Sequence, residues 1–236
     1  MKEIGSQSII GDRVHLHRLG NCFQTNYDYL EIGVYHGGSL ALQLRNPKCK
    51  NAMAVDLYPQ TCPDERHLTV LGSMSFQVLT GRLQDAGYDI TKMQTHSGDI
   101  SSLAVTAKYD YAFIDAEHTN RAAFKDAIHC MKHLKDNSIM LFHDTTLVYG
   151  AIDCFGAYLE LQEIPYKRYK LRNSELTLFL FGSIPSIENY CIKNESDYED
   201  FKLGAKIRLA DNVKKYNENW MEYTKYGYKR SDQRTA

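Results

Sequence analysis

Short apolar runs rich in β-branched and aromatic residues alternate along this chain with longer segments whose apolar positions recur every three or four residues. The first kind reads as strands and the second as helices. Strands are expected over residues 27–34, 51–56, 92–96, 109–115, 138–143, 166–171 and 176–181, with helices over 38–45, 68–86, a short piece from 101, 120–134 and 148–163. The helix over 120–134 has the clearest signal: Phe124, Ala127, Ile128, Met131 and Leu134 form one stripe, and Lys125, Lys132 and Lys135 stay outside it. Such alternation predicts an α/β fold with a parallel sheet covered by helices on both faces. Only residues 172–175 join the last two strands, too few for a parallel crossover, so a terminal antiparallel hairpin is expected. The expected sheet has seven strands and is mostly parallel.

After Pro185 the pattern changes. Phe201, Ala205, Leu209, Val213, Tyr216 and Trp220 recur at helical spacing and predict one amphipathic helix over 198–223. The first 20 residues read as a helical lead-in interrupted by Gly5, Gly11 and Gly20. The chain therefore divides into a domain over 1–185 and a C-terminal helical extension over 186–236. Tyr216, Trp220, Tyr223, Tyr226 and Tyr228 make that extension aromatic. Their rings either pack the last helix onto the domain or onto a second subunit of a homo-oligomer, or line an acceptor pocket.

Charge narrows the partners. The 236 residues hold 28 Lys and Arg against 29 Asp and Glu, a balance of −1, which excludes the basic footprint of a nucleic-acid or anionic-membrane binder. The longest stretches free of charge, 67–81 and 176–187, are too short to span a bilayer. Glu3 and Asp12 interrupt the apolar stretch that a signal peptide needs, and the six cysteines show no metal or disulfide spacing. The expectation is a cytoplasmic protein with reduced thiols and a small-molecule partner.

In an open parallel sheet the ligand sits outside the carboxyl ends of the strands. There the chain places Glu31-Ile-Gly33-Val-Tyr35-His-Gly37-Gly38-Ser39, then Asp56, Ser97-Gly98-Asp99, Asp115-Ala-Glu117-His118 and His143-Asp144. One such Asp is routinely a helix cap, and Asp56 alone reads as a solvated strand end; a run of acidic ends on one edge points to a site. Gly33 and Gly38 have the outer spacing of a dinucleotide turn, but Tyr35 replaces the middle glycine that lets a pyrophosphate approach. A phosphate-free nucleoside tolerates Tyr35, and S-adenosylmethionine is one. Glu31 then supplies negative charge near its cations, the amides at Gly38 and Ser39 favour its carboxylate, and Asp56 accepts from its ribose. Asp99 is placed on the same cofactor edge.

At these residues the sequence resembles the class I S-adenosylmethionine-dependent methyltransferases, whose fold is Rossmann-like. Leu30 to Ser39 looks like the first motif of the catechol O-methyltransferase type and of its relatives in natural-product and sugar tailoring. Phe113-Ile-Asp115-Ala-Glu-His118 and Leu141-Phe-His143-Asp144-Thr145 are similar to the motifs of the metal-dependent branch. The resemblance covers about residues 27–181. It implies methyl transfer to a hydroxyl of a sugar, glycoside or catechol-like molecule, and a divalent cation, Mg²⁺ or Mn²⁺, held at Asp115, His143 and Asp144. His143 stands where that branch usually has Asp or Glu, which moves preference toward Mn²⁺, Fe²⁺ or Zn²⁺, unless His143 faces away and the two carboxylates bind alone. Without an ion, Asp115 and Asp144 are helix caps. His118 occupies the place of a catalytic Lys, so it is either the general base or a loop histidine without a role.

Overall fold

The computed structural model describes residues 8–58, 61–63, 69–71 and 74–226. In chain order these form α1 (Ile10–Cys22), β1 (Tyr27–Ile32), α2 (Gly38–Leu44), β2 (Cys49–Asp56), β3 (Thr61–Pro63), β4 (Thr69–Leu71), α3 (Phe76–Asp85), β5 (Met93–Ser97), β6 (Tyr109–Ile114), α4 (Asn120–Cys130), β7 (Leu134–Phe142), α5 (Thr145–Leu161), β8 (Tyr166–Leu171), β9 (Thr177–Phe181), α6 (Pro185–Asn194), β10 (Glu195–Ser196) and α7 (Tyr198–Tyr226). The main sheet runs β10-β8-β9-β7-β6-β1-β2-β5. Strands β5, β2, β1, β6 and β7 are parallel, whereas β9 runs antiparallel to both β7 and β8.

All seven expected strands are present, and the hairpin closes the sheet as its short connection requires. Two differences concern short elements. Glu195 and Ser196 pair with Leu171 and Lys170, adding an eighth strand. The helix expected over 68–86 is shorter: residues 69–71 pair with 61–63 as a small hairpin, and α3 starts only at Phe76, where Ser75 Oγ accepts from the Val78 amide at 3.3 Å. The residues after Pro185 build onto the same body, since Ile187 and Cys191 are fully buried. Nothing in the described residues bears on Tyr228 or on the ring positions of Tyr216, Trp220, Tyr223 and Tyr226.

Period-two alternation sorts the strand side chains into two layers. Tyr29, Tyr111, Phe113, Leu141, Leu178 and Leu180 pack beneath α1, α2, α3 and α6. Leu30, Ile32, Ala112, Ile114, Phe142 and Phe179 pack on the other face beneath α4 and α5. The chain leaves β1 toward β2 and β5, then returns to β1's other side through β6 and β7. The strand order therefore reverses between β1 and β6, and the crevice above their carboxyl ends is where such a sheet takes a ligand.

Candidate active site

Backbone contact builds this crevice first. Gly33, with φ +85°, donates its N–H to the Val55 carbonyl at 2.9 Å. A side chain there would put Cβ 2.2 Å from the Asp115 carbonyl oxygen and 2.4 Å from Ala116 Cα, so only glycine lets the ends of β1 and β6 close up. Gly37, at φ +80°, precedes α2, and a Cβ on it would meet Leu79 Cδ1 at 2.5 Å. Tyr35 holds φ +44°, a strained angle fixed by its surroundings. Asp56 Oδ2 accepts from the amides of Val34 at 2.7 Å and Tyr35 at 3.0 Å, while the Tyr58 hydroxyl donates to the Tyr35 carbonyl. One carboxylate oxygen of Asp56 is thus engaged in shaping the turn.

The resulting cleft, about 630 Å³, is lined by Gly33, Tyr35, Ser39, Asp56, Asp99, Asp115, His118, His143 and Asp144 among others. Glu31 and Gly37 lie beneath it. Glu31 shares the side of Tyr29 on β1, so alternation sends its carboxyl under α2, where Ser39 donates to Oε1 at 2.5 Å and Tyr29 to Oε2 at 2.7 Å. Burial pushes its pKa up to about 8, outweighing these two hydrogen bonds, and the charges of Asp115 and Asp56 add to the rise. Glu31, read from the sequence as negative charge near the cofactor's cations, is a buried carboxyl whose two oxygens are taken by Ser39 and Tyr29. Asp99 caps the turn over 100–102, accepting from the Ser101 amide at 2.8 Å, and pairs with Lys125 at 2.7 Å. Burial opposes its ionisation, yet Lys125 and Ser101 hold its pKa down at about 2.

The ends of β6 and β7 carry the titratable cluster. Hydrogen bonds from the Asp115 amide to Ile32 at 2.8 Å and from the His143 amide to Ile114 at 3.0 Å continue the sheet one residue past each strand. Asp115 Oδ1 lies 2.9 Å from His143 Nδ1 and 3.4 Å from His118 Nε2; Asp144 Oδ2 lies 3.3 Å and 3.1 Å from the same atoms. Thr119, not Asp115, caps α4, its hydroxyl accepting from the Ala122 amide; Asp144 holds the N-cap position of α5 at φ +47°, but its side chain makes no capping hydrogen bond there. His143 does not face away. Burial disfavours charge on every member, but Asp115 raises the pKa of His143 well above its ordinary value, and His118 is raised by Asp115 and Asp144. The imidazoles in turn hold Asp115 at about 2 and lower Asp144.

The donors suit one divalent ion. Asp115, His118 and Asp144 offer ligand atoms that all lie within 4.8 Å of one another. The four separations above fall near the ~3.0–3.4 Å between adjacent ligands that each stand ~2.1 Å from a shared ion. His143 Nδ1 is buried without an aligned hydrogen bond, although Asp115 Oδ1 is close enough for one. Two imidazoles and two carboxylates form a donor set suited to Mn²⁺, Fe²⁺ or Zn²⁺ more than to Mg²⁺. With the ion on Asp115, His143 and Asp144, His118 is free to take a proton; it is also within reach as a fourth ligand.

Two residues that sequence reading missed belong here. Asp12 of α1, 1% exposed, places Oδ2 3.1 Å from His143 Nε2. Asp126 of α4 lines the cleft, and burial pushes its pKa up to about 7, Asp99 adding to the rise.

Residues 30–145 match a family model described as a methyltransferase domain. That match covers just under half of the chain, and the α/β fold is shared with solved methyltransferase structures. An uncharacterized protein of Acanthamoeba polyphaga mimivirus is 24% identical over 148 residues, a match that covers 58% of this chain and 63%, less than two thirds, of the relative. Solved structures similar to this one include the O-methyltransferase NovP, with TM-score 0.58 and 12% identity over 74% of this chain and 81% of that one. The O-methyltransferase TomG of Streptomyces achromogenes, in complex with S-adenosylmethionine, gives TM-score 0.53 and 16% identity over 76% and 82%. An O-methyltransferase of Bacillus cereus with S-adenosylhomocysteine gives 0.54 and 11% over 76% and 84%. At these identities the likeness is one of fold.

Proposed function

We propose that this protein transfers the methyl group of S-adenosylmethionine to a hydroxyl oxygen of a small molecule, a sugar, glycoside or catechol-like acceptor, with a divalent ion held at Asp115, His143 and Asp144. The observation that carries this reading is the single cleft that contains both the Gly33–Ser39 turn and the Asp115–His118–His143–Asp144 cluster. The turn, with Asp56 and Asp99, takes the nucleoside; the cluster takes the acceptor. O-methyltransferase neighbours with bound cofactor or product support the same assignment. Free thiols at Cys22, Cys49, Cys130, Cys154 and Cys191 support a reducing, cytoplasmic setting, and no described helix is long and apolar enough to cross a membrane.

Asp115, His143 and Asp144 would hold the ion, which would supply Lewis acidity to ease loss of the acceptor's hydroxyl proton. His118 Nε2 takes the proton of the attacking hydroxyl, and Asp144, 3.1 Å away, stabilises the imidazolium that results. Gly33 and Asp115, in backbone contact, set the distance between cofactor and acceptor. The test is S-adenosylhomocysteine formation across a panel of sugars and phenols, with EDTA and with Mn²⁺ restored. Binding of S-adenosylmethionine without product from any acceptor would overturn the enzymatic reading. The His118–Asp144 pair favours one alternative, an ion-independent base, which activity in EDTA would establish.

A further inference from the structure

We propose that Asp12 is a positioning residue for this ion site: it holds His143 in the tautomer with hydrogen on Nε2 and so turns the Nδ1 lone pair toward Asp115 and Asp144. The inference rests on the ion reading above and assigns the N-terminal helix a part in it.

The geometry is that of a carboxylate fixed from several sides. Asp12 Oδ1 accepts from the Glu175 amide at 2.7 Å, and Oδ2 accepts from the Ile9 amide at 3.2 Å. Both partners are backbone donors, so the carboxylate is anchored and its remaining capacity on Oδ2 points to His143 Nε2 at 3.1 Å. A neutral imidazole has one N–H. Given to Asp12, it leaves Nδ1 as a bare lone pair, and Nδ1 is the buried atom without an aligned hydrogen bond. A lone pair 2.9 Å from one carboxylate oxygen and 3.3 Å from another is repelled unless a cation lies among them; with no ion bound, a second hydrogen on Nδ1 takes that place, in keeping with the raised pKa of His143. Histidines that bind metals commonly donate their second N–H to a carboxylate in this way.

Docking of α1 makes the arrangement possible. At Gly11 a Cβ would sit 1.8 Å from the Asn173 carbonyl oxygen, so the helix touches the β8–β9 turn with no room for a side chain. That contact brings Asp12 against the Glu175 amide and across to the end of β7. Nothing in the spacing of Asp12 and His143 along the chain suggests the pairing.

Asp12→Asn tests it with little change of shape. The amide oxygen can keep the Glu175 bond, but the NH₂ that replaces Oδ2 donates to Nε2 and forces the hydrogen onto Nδ1. We expect Mn²⁺ affinity of the full chain, measured by calorimetry, to fall about 10- to 100-fold while S-adenosylmethionine affinity stays within twofold. In ¹⁵N-histidine-labelled protein loaded with Zn²⁺, the His143 ring should show Nδ1 as the metal-bound nitrogen and hydrogen on Nε2 in the wild type and lose that signature in Asp12→Asn, a change that a merely structural role for Asp12 would not produce. Equal Mn²⁺ affinity in the two folded proteins would overturn the role of Asp12 and leave the ion reading standing. Absence of Mn²⁺ binding in the wild type would overturn both. The wild-type signature needs no variant: Nε2 as the metal-bound nitrogen, or hydrogen retained on Nδ1 in the Zn²⁺-loaded protein, refutes the proposal even if Asp12→Asn fails to fold.

Discussion

Replacing Asp126 with asparagine should stabilise the protein, and increasingly so as pH rises. Asp126 is 8% exposed on α4 and lines the cleft. Burial and the neighbouring charge of Asp99 raise its pKa from 3.8 to about 7. For an acid raised on folding, the unfolded chain releases the proton first. Stability therefore falls as pH rises from about 4, and the loss levels off above about 7. Roughly three pKa units at ~1.4 kcal/mol each give a ceiling of ~4 kcal/mol. Solvent reaching the cleft that Asp126 lines screens the charge, so ~2 kcal/mol at pH 8 is expected, equivalent to about 4–8 °C in Tm for a chain of this size. Asn has the same shape and no charge, so the variant should escape the loss. Thermal unfolding followed by circular dichroism from pH 5 to pH 8 would show the Tm gain of Asp126→Asn growing up to pH 7 and then holding. A gain independent of pH, or a variant less stable at pH 8, would mean that Asp126 is ionised in the folded protein and has a partner there.

Other substitutions separate the parts of the site. Gly33→Ala should cost 3 kcal/mol or more, on the order of a severe core defect, because its Cβ overlaps the Asp115 carbonyl; urea unfolding measures this, and a near-wild-type midpoint would show that β1 and β6 can move apart. Asp144→Ala should lower turnover at least about tenfold while calorimetry finds S-adenosylmethionine affinity unchanged, since the carboxylate serves the acceptor side; equal loss of both would place it on the nucleoside. His118→Ala should lower kcat by about 10²- to 10⁴-fold and remove the acidic limb of the pH profile, whereas a wild-type kcat with that limb intact would take His118 out of the proton transfer.

The sheet was legible because each central strand is a run of apolar and aromatic residues long enough to show its kind. Strands β3, β4 and β10 were not, since two or three residues carry no alternation. The site edge was legible for a related reason: parallel strands bring their carboxyl ends to one side, so Asp56, Asp99, Asp115 and Asp144 could be grouped before any contact was known. Direction was harder to read. Glu31 follows Tyr29 by two, and that alternation already places it in the layer under α2, outside the lining of the cleft. On α4 the stripe of Phe124, Ala127, Ile128 and Met131 is close to the inner face, yet the residues most buried are Ala123, Asp126, Ala127 and Cys130, a face turned by one position. A carboxyl on that face is the signal that points to Asp126. For Asp12 there is no comparable signal, because its partner lies on another element at the far end of the sheet's folding path.

In the proposed reading the cofactor end of the cleft is held by backbone and the acceptor end by charge, and the two meet at one point. There the Asp115 amide bonds to the Ile32 carbonyl at 2.8 Å, and Gly33 lies flat against the Asp115 carbonyl. The separation between the nucleoside turn and the ionisable cluster is therefore set by the pairing of β1 with β6, register Ile32 with Ile114, and not by the rotamer of any side chain. Methyl transfer needs the acceptor oxygen, the methyl carbon and the sulfur in line, and an error of about 1 Å can cost two orders of magnitude in rate. A backbone-to-backbone contact at the switch point is the stiffest element available to hold that line. The imidazoles and carboxylates beyond it then need only adjust protonation and ligand binding, which small side-chain movements can do without lengthening the path of the methyl group.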